Sequence, residues 1–208
     1  MDRPSLRGLY AITLDASRQA PGWLEARVEA ALIGGARLIQ YRDKHDDHRR
    51  RRACALALRH LCRRYQALLI INDDVDLALS VDADGVHLGL DDMPLMQARA
   101  MLGPQAVIGV TCADSVERVL AASEGGADYL ALGAFFPSAT KPDARRASLA
   151  LLEQARSLSS LPICAIGGIT PGRAGDLIRA GADLIAAVEG VFAADDVKAA
   201  AQAYASQF

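Results

Sequence analysis

The sequence predicts an α/β protein, a closed (β/α)₈ barrel in a single domain over residues 1–208, from three observations. Short runs rich in β-branched residues alternate with amphipathic stretches along the chain, which implies parallel strands joined by right-handed crossovers. Eight such units leave about 26 residues for each within 208, enough for one strand, one helix and two short connections. A weak repeat supports closure: Gly35-Ala36-Arg37-Leu38, Ala83-Asp84-Gly85-Val86, Gly126-Ala127-Asp128-Tyr129 and Gly181-Ala182-Asp183-Leu184 each end a helix and begin a strand. These turns belong to the bottom of a barrel, where they serve stability rather than chemistry. An open, doubly wound sheet is the alternative reading of the same alternation.

The expected strands are Leu9 to Thr13, Leu38 to Arg42, Leu68 to Asn72, Gly85 to Leu88, Val107 to Thr111, Tyr129 to Gly133, Ile163 to Gly167 and Leu184 to Val188. Each is short, apolar and bounded by turn residues. Helical periodicity marks Trp23 to Ile33, Arg49 to Tyr65, Ser115 to Glu124, Leu149 to Leu158 and Asp196 to Ser206. No composition shift or low-complexity linker divides the chain.

Composition excludes several function classes. Apolar residues make up 51% and charged residues 23%, with net charge −2, so there is no basic field to recruit nucleic acid. The run His48 to Arg52 splays around a helix and reads as a solvated face. No apolar run reaches the ~18 residues that span a bilayer, and Met1-Asp2-Arg3-Pro4 lacks the layout of a signal peptide. Cys54, Cys62, Cys112 and Cys164 show no C-x-x-C spacing and read as reduced core thiols. A cytoplasmic location is therefore expected, with small-molecule substrates, no nucleic acid and no membrane partner. Self-association through outer helices into a homo-oligomer is compatible with a barrel of this size.

Catalytic groups of such barrels sit at the C-terminal ends of strands and in the loops after them. The second strand ends Gln40-Tyr41-Arg42-Asp43-Lys44. Alternation puts Gln40, Arg42 and Lys44 on one side and Tyr41 and Asp43 on the other. Cations converging on a barrel mouth call for an anion, and a diphosphate suits them. The third strand ends Asn72-Asp73-Asp74, and the fourth supplies His87 and then Asp91-Asp92. Carboxylates on neighbouring strands, beside those cations, suggest Mg²⁺ shared with the diphosphate. Helix capping is the competing role for Asp74 and for one of Asp91 and Asp92. His87, in an apolar run, reads as a satisfied wall histidine rather than a base. The loop from Gly133 to Lys141 carries Ser138, Thr140 and Lys141, as a phosphate-binding lid would. Gly167-Gly168 and Val188-Glu189-Gly190 follow strands seven and eight, the usual phosphate site of these barrels. Two anion sites thus share one mouth.

In these motifs the chain resembles the thiamine-phosphate synthase family. They are Gln40-x-Arg42-x-Lys44, Ile71-Asn72-Asp73-Asp74, Gly85-Val86-His87-Leu88-Gly89-x-x-Asp92, Gly109-Val110-Thr111, Phe136-Pro137-Ser138-x-Thr140-Lys141 and Ile166-Gly167-Gly168-Ile169. They fall in order on the expected strands over nearly the whole chain. The resemblance implies that Gln40 to Lys44 (with Tyr41 and Asp43 inside the segment), Asn72, Thr111 and Lys141 hold hydroxymethylpyrimidine diphosphate. It implies Mg²⁺ on Asp73 and Asp92. Ser138, Ala139 and Thr140, with Gly168 and the Val188-Glu189 turn, would hold the thiazole phosphate. Arg42, Lys44 and Lys141 would stabilise the departing diphosphate.

Three positions depart from the family pattern. Leu90 replaces a common glutamine, Thr111 a frequent serine, and Glu189 a common serine. A carboxylate facing a phosphate would repel it, so the Glu189 side chain is expected to turn away. The rival readings are a thiazole tautomerase-like isomerase and a non-catalytic phosphate-binding barrel; the intact diphosphate and metal motifs argue against both.

Overall fold

The β-rich runs close on themselves. In a computed structural model describing residues 5–15, 19–137 and 146–208, eight parallel strands pair in sequence order, and the first also pairs with the last. They are β1 (Gly8–Ile12), β2 (Ala36–Tyr41), β3 (Leu68–Asn72), β4 (Gly85–Leu88), β5 (Val107–Ala113), β6 (Tyr129–Leu132), β7 (Ile163–Ala165) and β8 (Leu184–Ala187). The pairing Leu9↔Ile185 removes the edges that an open doubly wound sheet would keep. This is a single-domain (β/α)₈, or TIM, barrel.

The outer ring holds α1 (Trp23–Ile33), α2 (His48–Arg64), α3 (Val75–Ser80), α4 (Leu95–Leu102) and α5 (Val116–Glu124). It continues with α6 (Leu149–Leu158), α7 (Pro171–Arg179), α8 (Glu189–Phe192) and α9 (Val197–Ala205). Side-chain caps start several of them: Asp47, Asp74, Ser115, Ser148 and Asp196 each accept a backbone N–H from the first turn. No helix of the described residues is long and apolar enough to cross a membrane.

Two apolar clusters follow from strand alternation. Outward residues such as Leu9, Ile39, Leu69 and Ile71 join the helix faces in one layer. Inward residues such as Tyr10, Leu38, Ile70, Tyr129 and Leu184 fill the lumen.

The bottom rim repeats one device three times. Asp84 accepts the Leu69 N–H at 2.7 Å and Arg59 Nη1 at 2.6 Å. Asp128 accepts Ile108 N–H at 2.8 Å and Arg99 Nη2 at 2.5 Å. Asp183 accepts Ile163 N–H at 2.9 Å and Arg156 Nη1 at 3.0 Å. Each clamp ties a helix (α2, α4 or α6) to the start of β3, β5 or β7. The fourth repeat carries Arg37 where the others have aspartate, and the β1–β2 register shifts there.

The basic run of α2 is a solvated face only in part: His48, Arg49 and Arg52 are exposed, whereas Arg50 and Arg51 are partly buried. Arg50 pairs with Asp43 at 2.5 Å and Arg51 with Asp74 at 2.7 Å, while Arg52 reaches the Ser80 carbonyl at 3.4 Å. These guanidiniums hold α2 against neighbouring elements, a use that periodicity alone does not reveal.

Candidate active site

The C-terminal ends of β2, β3, β4 and β5 bring the expected groups to one mouth. At β2, alternation works as the sequence implies. Gln40 faces the lumen and is buried, whereas Tyr41 and Asp43 face outward. Tyr41 Oη donates to Asp43 at 2.9 Å, and Asp43 also accepts the His45 N–H at 3.0 Å. Burial, with Asp43 beside it, pushes the Tyr41 phenol well above its ordinary value. Tyr41 and Asp43 thus brace the strand end from behind.

Thr13, just after β1, clips this end in place. Its N–H donates to the Gln40 carbonyl at 2.9 Å and its hydroxyl accepts the Arg42 N–H at 3.0 Å. Thr13 is buried, and a lone threonine after a strand gave no sequence signal. Among the described residues no carboxylate pairs with the half-buried Arg42 guanidinium.

Asn72 ends β3, and Asp73 follows in the left-handed region at φ 64°, which short polar side chains tolerate best. Its N–H donates to the His87 carbonyl at 2.9 Å. Lys44 forms an ion pair with the Asp73 carboxylate, and Asp92 meets Asp73 side chain to side chain. Asp92 also accepts the Gly89 N–H at 2.6 Å. Desolvation and the Asp73 carboxyl raise the Asp92 carboxyl above the ordinary aspartate range. Two carboxylates drawn together against their repulsion suit a hard divalent cation. Asp74 is not part of this group; it caps α3, accepting the Leu77 N–H at 2.8 Å. Leu90 is exposed beside the pair.

The one grouping of three metal-ligating side chains among the described residues is elsewhere, at Asp15, Asp43 and His45. Asp43 is already engaged there by Tyr41, Arg50 and His45.

His87 and Thr111 stand on the lumen wall, with His87 Nε2 2.9 Å from Thr111 Oγ1. Both ring nitrogens of His87 have hydrogen-bond partners, as a wall histidine requires. β5 runs on to Ala113, two residues beyond its expected end, through a register shift after Thr111.

On the far side, β7 is shorter than the sequence suggests, because Gly167 (φ 101°) and Gly168 (φ 58°) turn the chain out of the ladder. A Cβ at Gly168 would lie 2.1 Å from the Pro137 carbonyl oxygen, so only glycine lets the Phe136-Pro137 segment pack this closely. β8 stops at Ala187, one residue short of its expected end; Val188 is the residue before α8, and Glu189 starts that helix exposed. Ser138, Ala139, Thr140 and Lys141 lie outside the described residues.

The chain is similar to known proteins over nearly its whole length. Residues 9–191 match the family model described as thiamine monophosphate synthase. The thiamine-phosphate synthase of Thioalkalivibrio sulfidiphilus is 55% identical over 203 residues, covering 98% of this chain and 96% of its own. That of Nitrosococcus oceani is 50% identical over 204 residues, covering 98% and 94%. Among solved structures, thiamine phosphate pyrophosphorylase from Pyrococcus furiosus superposes with a TM-score of 0.87 at 37% identity, covering 98% of this chain and 96% of that one.

Proposed function

Since the chain belongs to the thiamine-phosphate synthase family and is a transferase of thiamine biosynthesis, we propose that its mouth joins hydroxymethylpyrimidine diphosphate to thiazole phosphate, or to the carboxylated precursor of that phosphate. The products are thiamine phosphate and free diphosphate. The observation that carries this reading is the charge arrangement at β2 to β4: Arg42 without a carboxylate partner among the described residues, beside the Lys44–Asp73–Asp92 cluster.

The reaction is a dissociative displacement. The bond from the pyrimidine methylene carbon to the diphosphate oxygen breaks, and its electron pair leaves with the diphosphate. Arg42 and Lys44, joined by Lys141, stabilise that charge where it develops. The electron-rich aminopyrimidine bears the methylene cation, and the thiazole nitrogen lone pair then captures it. No protein nucleophile is required. Asp73 and Asp92 would hold Mg²⁺, which neutralises charge on the diphosphate when bound.

Gln40, Asn72 and Thr111 position the pyrimidine diphosphate from the lumen side, within the Gln40–Lys44 segment that Tyr41 and Asp43 brace. Backbone N–H groups at Gly168 and the Val188-Glu189 turn, with Ser138, Ala139 and Thr140, receive the thiazole phosphate. Holding both substrates in line supplies much of the acceleration. We assign the reaction to the cytoplasm, and the four free thiols support that assignment.

The test is to follow thiamine phosphate and diphosphate release from purified protein with both substrates and Mg²⁺. Parallel runs use EDTA and the Arg42→Ala and Asp73→Ala variants. Metal-dependent product that collapses in both variants is expected. No product from well-folded wild-type protein would reject the reading.

A further inference from the structure

Lumen positions of small barrels are mostly filled by branched aliphatic side chains. Here two of the largest are tyrosines, Tyr10 on β1 and Tyr129 on β6, both buried and crossing edge to face with centroids 5.8 Å apart. Gly109 makes the room, since a Cβ there would stand 1.9 Å from Tyr129 Cζ. The two hydroxyls meet at 2.8 Å, and a hydrogen-bonded chain extends from both. Gln40 Nε2 donates to Tyr10 Oη at 2.7 Å. Tyr129 Oη lies 2.9 Å from His87 Nδ1, and His87 Nε2 lies 2.9 Å from Thr111 Oγ1. The His87 ring stacks on Tyr129 at an interplanar angle of 21°. The chain joins the β2 and β5 walls of the mouth through its floor.

Counting protons gives the chain a direction. A phenol has one proton to give. Tyr10 receives a proton from Gln40, so its own needs an acceptor in a dry lumen, and Tyr129 is the one recorded among the described residues. Tyr129 then donates to His87 Nδ1. His87 is therefore neutral with its proton on Nε2, which it gives to Thr111 Oγ1. The Thr111 proton is left to be donated away from His87. With its amide nitrogen on Tyr10, Gln40 turns its carbonyl oxygen elsewhere. Reversing the chain needs the Gln40 amide turned over and the His87 proton moved to Nδ1. Burial holds both phenols un-ionised, which keeps the chain uncharged.

We infer that His87, backed by Tyr10 and Tyr129, is a positioning residue that fixes Thr111 as a donor and the Gln40 carbonyl as an acceptor on opposite walls. The mouth thereby selects a flat heterocycle presenting N–H on one edge and a ring-nitrogen acceptor on the other. The inference rests on the reading of this mouth as the aminopyrimidine diphosphate site, and deepens it.

The first measurement is the His87 tautomer, by long-range ¹⁵N–¹H correlation on whole protein with labelled histidine, the His87→Gln variant identifying its signals. A proton on Nε2 is expected in wild type, with that preference lost in Tyr129→Phe; a proton on Nδ1 overturns the inference. Steady-state kinetics add a second readout. Tyr129→Phe and His87→Ala raise KM for the pyrimidine diphosphate about tenfold, one hydrogen bond's worth, and leave KM for thiazole phosphate unchanged. His87→Gln, whose amide still donates toward Thr111, recovers most of the loss. Equal rises in both KM values, or no difference between His87→Ala and His87→Gln, would mean packing alone and overturn it. If wild-type protein makes no product, the synthase reading fails by itself and the tautomer decides the relay.

Discussion

At the bottom rim, Asp84, Asp128 and Asp183 each hold one strand N–H and one guanidinium, whereas at the mouth Asp73 and Asp92 face each other and share a lysine. Both rims use aspartates beside basic side chains, at the bottom in helix-to-strand turns and at the mouth in strand-to-helix loops. The bottom carboxylates stand opposite to cations and donors, so their charge is balanced within the frame. The mouth carboxylates leave repulsion in place, and Arg42 beside them has no carboxylate partner among the described residues. Unbalanced charge on a rigid support is what a site for a metal and a diphosphate needs.

The sharpest test of this contrast is at the mouth. Arg42→Ala and Asp73→Ala are expected to cut product formation about 10³-fold while melting close to wild type. A large loss of stability in either would erase the distinction between the rims. Next comes the bottom: Asp128→Ala strands the Ile108 N–H and leaves Arg99 only its carbonyl acceptors at Gly103, Ala106 and Gly126. It should cost about 1–3 kcal/mol in urea unfolding. The fraction that remains folded keeps its turnover; a fall in kcat there would show that the two rims are coupled.

A smaller effect of opposite sign is expected from Asp92→Asn. The Asp92 carboxyl is raised in the folded state, so its ionised form opposes folding at neutral pH. The variant should therefore melt higher than wild type at pH 7 without metal. The gap closes as pH falls through the folded-state titration of Asp92, because protonation then relieves the wild type too. Mg²⁺ should raise the melting temperature of wild type and not of the variant. A variant less stable at neutral pH would mean that Asp92 serves the frame through Gly89 instead.

The smallest effect concerns the thiols. Burial pushes Cys62 and Cys112 up to about 12, so both should resist alkylation at pH 8 until the chain unfolds. Half-buried Cys54 should react first, and fast labelling of Cys112, which lies in the layer between β5 and the helices, would reveal a loosening of that layer.

Much of this was legible from local pattern. The bounds of α1, α6, β3 and β4 match the periodicity to the residue, because each is flanked by a turn or capping residue that stops it. Alternation alone put Gln40 on the lumen side and Tyr41 with Asp43 behind it. Asp74 as a cap, one of two readings open from the sequence, is decided by the Leu77 N–H. At two of the strands whose bounds differ, a left-handed residue intervenes: Gly167 cuts β7 short, and Ala113 at φ 52° ends a β5 that runs long.

By itself, then, the sequence determined the order of the eight strands, the rim on which chemistry collects and the residue types waiting there, since all three depend on spacings within a few residues. Tertiary structure alone decided which of those groups meet. Tyr10 and Tyr129 join hydroxyls across 119 residues of chain, and Asp92 comes to Asp73 only because β3 and β4 are neighbours in the ladder. Three aspartates in turns expected to serve stability do so as clamps, each on the strand before its own. Barrel closure fixes those distances, and closure belongs to all eight strands at once and to none of their local patterns.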